Sequence, residues 1–267
     1  MALRRSVGII VVATLGLPGL AMAASPLNGT WKTDPSSFTW SGKPVVYTAT
    51  DKSFDCVSCV TPTRLPLGGP PQRYSGAPGV VDSLKATKID AHTIRVTGLS
   101  KRVVFGVQTY QVAPDGKTMT LVTDRTTSVP GLPALHETVV FSRKAAGAPG
   151  SLPQAGTWVR TGLKTTTAAL LDATYRVTGS TIHMTSPGGQ SYHATFGGPP
   201  VAVKNAPGGL TVSVRKVSDH EIVETEWRGG KVVDVTDTTV SADGKTAVIV
   251  DNDSRSGVTS TSTAHKL

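Results

Sequence analysis

The chain has 267 residues, 5% of them aromatic and 17% charged, with a formal net charge of +9. The chain is rich in Gly, Thr, Val and Ser and has hardly any long Leu/Ala/Glu/Lys runs, which predicts an all-β protein and speaks against a helical one. No G-x-S-x-G, Gly-rich phosphate loop or H-E-x-x-H occurs, so the enzyme classes those motifs serve find no support.

The first residues read as an export signal. Arg4 and Arg5 form a positive start, an apolar run covers 7–20, and Ala21-Met22-Ala23 is an A-x-A cleavage site. Residues 1–23 are therefore expected to be a signal peptide. The mature protein then begins near Ala24, exported to the periplasm or secreted, with no stable membrane span. Gly16, Pro18 and Gly19 break the apolar run, which is short for a span.

The remainder is a duplication. Thr30-Trp31 returns as Thr157-Trp158 after 127 residues, and Gly68-Gly69-Pro70-Pro71 as Gly197-Gly198-Pro199-Pro200 after 129. His92-x-Ile94 returns as His220-x-Ile222, and the Asp115-Gly116 turn as Asp243-Gly244, both after 128. Asp-Gly between β-rich runs marks a hairpin, because Gly supplies the positive φ of a tight turn. The expected organisation is a first β domain over 24–144, a linker over 145–155 and a second β domain over 156–267. Small residues and prolines without periodicity suggest the linker. Residues 24–148 carry 14 Lys/Arg against 8 Asp/Glu, and residues 149–267 carry 11 against 10. A basic first half suits anionic partners, but its cations are scattered without interleaved aromatics, so no nucleic-acid partner is expected.

Strand-like runs fall near 45–49, 53–60, 80–89, 93–98, 102–112, 118–126 and 135–143, with counterparts in the second repeat. Ile94 and Val96 share one face, with Arg95 and Thr97 on the other. The second repeat departs from this where Ile222 is followed on the same face by Glu224 and Glu226. Either a bulge turns Val223, Thr225 and Trp227 inward, or the interior is partly acidic. The cost of buried unpaired carboxylates favours the bulge.

Seven or eight short strands per repeat predict a barrel or sandwich. With Gly29-Thr30-Trp31 and Gly156-Thr157-Trp158 opening the repeats, the paired Asp-Gly-Lys-Thr turns and a cation on each last strand, the chain resembles lipocalin-like (calycin-type) small β-barrels of exported bacterial proteins. That resemblance implies two tandem antiparallel up-and-down barrels. It also implies an end plug in which Trp31 meets Arg143, and Trp158 meets His265 or Lys266.

Cys56 and Cys59, the only cysteines, have strand-and-loop flanks instead of a helix start, which favours a local disulfide over redox or metal chemistry. His183 and His193 flank Pro187-Gly188-Gly189, and a three-residue loop would set them opposite each other on one face. No metal and no cofactor are predicted. The expected function is non-enzymatic: a small hydrophobic ligand held in one or both barrels. The alternative is a module that presents loops to a cell-envelope protein or inhibits an envelope enzyme.

Overall fold

The computed structural model describes residues 24–77, 80–126, 134–167, 171–206 and 208–267. The expected signal peptide lies outside them.

In chain order the strands are β1 (Gly29–Thr33), β2 (Thr39–Gly42), β3 (Val45–Ala49), β4 (Ser53–Cys56), β5 (Thr63–Pro66), β6 (Gln72–Ala77) and β7 (Val81–Lys88). There follow β8 (Thr93–Ser100), β9 (Val103–Val112), β10 (Thr118–Arg125), β11 (Leu135–Ala146) and β12 (Gly156–Thr166). The second half forms β13 (Ala173–Thr178), β14 (Thr181–Thr185), β15 (Ser191–Thr195), β16 (Val201–Ala202), β17 (Thr211–Lys216) and β18 (Glu221–Arg228). Last come β19 (Lys231–Val240), β20 (Thr246–Asp253) and β21 (Val258–Lys266).

These strands make two nearly closed antiparallel barrels of the same topology. One runs β5-β4-β3-β12-β11-β10-β9-β8-β7-β6, the other β15-β14-β13-β1-β21-β20-β19-β18-β17-β16. Single bridges, Leu67 to Ala86 and Ser191 to Lys204, cross the remaining gaps. Each barrel is an up-and-down meander, which leaves few exposed strand edges.

The strand that opens each repeat closes the other repeat's barrel. Gly156-Thr157-Trp158 pairs with β11 and β3 of the first barrel, and Gly29-Thr30-Trp31 pairs with β21 and β13 of the second. β2 extends this second seam, with Thr39 opposite Thr261 and Gly42 opposite Val258. A turn at Pro35–Ser37, capped by Asp34, interrupts β1–β2 where β12 runs on unbroken. The first barrel is thus residues 45–166, and the second joins 29–42 to 173–266. These limits replace the expected division at 144 and 156. Residues 147–155 are a hairpin connection inside the first barrel, not a linker between barrels.

Glycine makes the seam possible. Gly156 has φ 133°, and a side chain there would meet Ala145 O at 2.4 Å. The regrouping also sharpens the charge asymmetry. Residues 45–166 hold 14 Lys/Arg against 7 Asp/Glu, while 24–44 with 167–267 hold 11 of each.

Alternate residues along each strand face inward and build one core per barrel. The first gathers Tyr47, Phe54, Ile94, Tyr110, Met119, Phe141 and Trp158. Its rings of Tyr47, Phe54 and Tyr110 lie 4.9–5.5 Å apart, contacts worth about 0.5–1.5 kcal/mol per pair beyond burial. Burial pushes the Tyr47 hydroxyl up to about 12. The second core is leaner, with Leu27, Trp31, Ile182, Val212, Val214, Ile222 and Ala264.

Candidate functional site: two barrel ends, one closed and one open

One end of each barrel is plugged. In the first, the Arg143 guanidinium lies 4.1 Å from the Trp158 ring centre. The guanidinium donates to Ala155 O at 2.6 Å, to Pro153 O at 2.5 Å and to Gly116 O. Trp158 Nε1 donates to Gln154 O at 2.9 Å. The linker-like residues therefore supply carbonyls to the plug. Desolvation pulls the Arg143 guanidinium below its ordinary range. In the second barrel Lys266 Nζ lies 4.8 Å over Trp31 and donates to Pro26 O at 2.5 Å. Trp31 Nε1 donates to Leu27 O at 2.9 Å.

The plug residues are those expected, but the partners are crossed: Trp158 meets Arg143, and Trp31 meets Lys266. Strand exchange is the cause. His265 is exposed, because alternation turns it outward between Ala264 and Lys266. The Asp-Gly turns sit beneath the plugs. Gly116 and Gly244 have φ 69° and 70°, and Asp115 and Asp243 accept from the Lys117 and Lys245 amides at 2.9 and 3.1 Å.

The opposite ends differ. Equivalent inward positions, 128 residues apart, are Val96, Gly98, Gly106, Gln108, Thr123 and Arg125 in the first barrel. In the second they are Glu224, Glu226, Asp234, Thr236, Asp251 and Asp253. Both sets share one register: Gly98 faces Gly106 as Glu226 faces Asp234, and Thr123 faces Gln108 as Asp251 faces Thr236.

In the first barrel the two glycines leave room. A cavity of about 220 Å³ opens there, walled by Tyr74, Val81, Leu84, Val96, Phe105 and Val107. Gln108, Thr123 and Arg125 add polar groups to the same cavity. The Tyr110 hydroxyl donates to Gln108 Oε1 at 3.0 Å, at the cavity's inner edge. Arg125 is exposed at the rim, yet desolvation still lowers its guanidinium pKa, with Glu137 opposing.

In the second barrel the same space holds carboxylates. Glu224 is buried, and burial raises its pKa against the opposing pull of two tyrosine hydroxyls. Tyr175 donates to it at 3.0 Å, and Tyr192 donates to its other oxygen. Burial and the neighbouring Glu224 and Asp251 raise Glu226 to about 7. Burial and Asp251 raise Asp234 as well. A bulge does occur in β18, but it falls after Glu226 and leaves Glu224 facing in. The interior is partly acidic, which corrects the reading that favoured Val223, Thr225 and Trp227. The missed stabilisation came from Tyr175 and Tyr192, on strands far along the chain.

Two further pairs complete the predicted set, one anchored in the first barrel's core through buried Cys56 and the other on the surface. Cys56 and Cys59 form a disulfide with Cα atoms 5.5 Å apart. His183 faces His193 across β14 and β15, rings 6.0 Å apart on the exposed face. Among the described residues no three His, Cys, Asp or Glu side chains group as metal ligands.

The fold and its two contrasting mouths define an all-β protein of tandem antiparallel barrels. Comparison with protein-family models, curated proteins and solved structures gave no match to the chain.

Proposed function

We propose that this is an exported, lipocalin-like binding protein whose first barrel holds a small, largely apolar ligand with an anionic or hydrogen-bond-accepting end. The observation that carries this reading is the cavity at Gly98 and Gly106, at positions where the second barrel places Glu226 and Asp234. Its apolar walls supply burial, and Arg125 and Gln108 supply orientation. The second barrel, with polar groups in the same space, serves as a structural partner, and the residues that line the first cavity all lie within 45–166. The alternative of a module presenting loops to an envelope protein needs only a filled barrel, and the open mouth weighs against it.

Native mass spectrometry of the mature protein from its own exporting host, beside the same sample denatured, tests the reading. Excess mass that vanishes on unfolding is expected. A bare chain in the native spectrum would remove the case for a tightly held ligand in that host.

A further inference from the structure

We propose that the open rim of the first barrel docks on an anionic lipid surface through the tip of the β8–β9 hairpin. The tip is Lys101-Arg102, with φ 49° and 70°, where the matching turn of the second barrel is Gly229-Gly230 at 57° and 75°. Only glycine takes this left-handed region without strain, so two long cations here work against the turn's own preference. The turn is held from beside it: Asp82 accepts the Lys101 amide at 2.5 Å.

The result is a braced tip that projects two adjacent cations. Among the described residues neither forms an ion pair within the protein. Val103 and Val104 follow, 69% and 48% exposed. The matching positions in the second barrel are Lys231 and the half-buried Val232. The disulfide loop reaches the same rim, since a side chain on Gly76 of β6 would meet Thr61 Oγ1 at 2.6 Å. That loop exposes Val57 and Val60, at 52% and 48%.

Cations beside short apolar side chains match the depth profile of an anionic bilayer. Guanidinium and ammonium groups meet phosphates while the valines enter the headgroup–acyl boundary. The excess of 14 cations over 7 carboxylates in residues 45–166 orients this barrel toward such a surface. The cavity opens between the same strands, so docking would bring its mouth to the lipid.

The test is co-sedimentation of the mature chain with phosphatidylcholine vesicles, with and without phosphatidylglycerol. Two cations near the surface predict about a thirtyfold preference for the anionic vesicles at low salt, falling as salt is added. K101G/R102G, which copies the second barrel's turn, is expected to fold as stably as the wild type and to lose that preference. V103T/V104T is expected to weaken binding while keeping the salt dependence. Equal partition between the two vesicle types would overturn the proposal. So would wild-type binding by a folded K101G/R102G. The assay needs no ligand, so its failure leaves the cavity reading standing.

Discussion

Trp31, near the start of the described chain, and Lys266, next to its last residue, meet at the closed end of the second barrel, the ammonium 4.8 Å from the indole centre. The equivalent pair in the first barrel, Trp158 and Arg143, comes from one hairpin. One barrel is therefore sealed by local chain and the other by its two extremes. Removing a buried aromatic costs about 3–5 kcal/mol. Trp31→Ala should destabilise the second barrel by that order while sparing the first, and Trp158→Ala should do the reverse. Hydrogen exchange resolved by strand reads the difference. Loss of protection in the first barrel on Trp31→Ala would contradict the exchange of strands.

Fragments should follow the barrels and not the repeats. Residues 45–166 contain all ten strands of the first barrel, whereas 24–144 lacks β12 and leaves β3 and β11 as unpaired edges. The first fragment is expected to unfold cooperatively by heat with a strand-type circular dichroism spectrum. The second is expected to aggregate or lack a transition. Equal behaviour would refute the assignment of β12.

Gln154 occupies the position that Leu27 fills in the other plug, four residues before the tryptophan. It is fully buried, and among the described residues neither side-chain amide atom has a hydrogen-bond partner. A buried polar group left unpaired costs about 1–3 kcal/mol. Gln154→Leu should therefore stabilise the first barrel by that order, measured by denaturant unfolding. A destabilised variant would show that the amide has a partner in solution.

The acidic lumen makes stability depend on pH in a defined direction. Glu226 titrates near 7 in the fold against 4.5 ordinarily. Between those values the folded chain keeps a proton that the unfolded chain has released, so stability falls as pH rises, by ~3 kcal/mol in all. Glu224 and Asp234 act in the same sense. Asp82 and Asp243, whose pKa values are lowered by hydrogen bonds, act oppositely, and their contribution is lost in acid. Glu226→Gln should flatten the fall and be more stable than the wild type at about pH 8. An unchanged pH profile would mean that Glu226 is solvated.

Much of this fold was legible in the residues. Alternation located the strands, Asp-Gly the turns, and the Thr-Trp repeats the duplication and its plugs. Strand partners were not legible. Gly29-Thr30-Trp31 and Gly156-Thr157-Trp158 are locally equivalent, and nothing in either segment says which barrel it closes. The small residues of 147–155 read as a linker because carbonyl acceptors for Arg143 leave no mark in composition. Glu224 followed the inward period from Ile222, and only the price of a buried acid argued against it. The hydroxyls that offset that cost sit on β13 and β15. The cavity was hidden for a related reason: Gly98 and Gly106 matter together, and only the β8–β9 register brings them face to face.

On the proposed function, the first barrel's mouth binds a ligand and the second's does not. Calorimetric titration with eight-carbon chains ending in carboxylate, hydroxyl or ammonium tests it most directly, on the wild type, Gly98→Leu and Arg125→Gln. A Cβ on Gly98 would lie 3.5 Å from Val81 and 3.7 Å from Gly106 O, both ordinary contact distances, so the backbone there accepts the start of a side chain. Tightest binding is expected for the carboxylate, with about tenfold or more weakening in Arg125→Gln and no binding by folded Gly98→Leu. Binding that survives Gly98→Leu unchanged, or that favours the ammonium chain, would place the ligand elsewhere and contradict it.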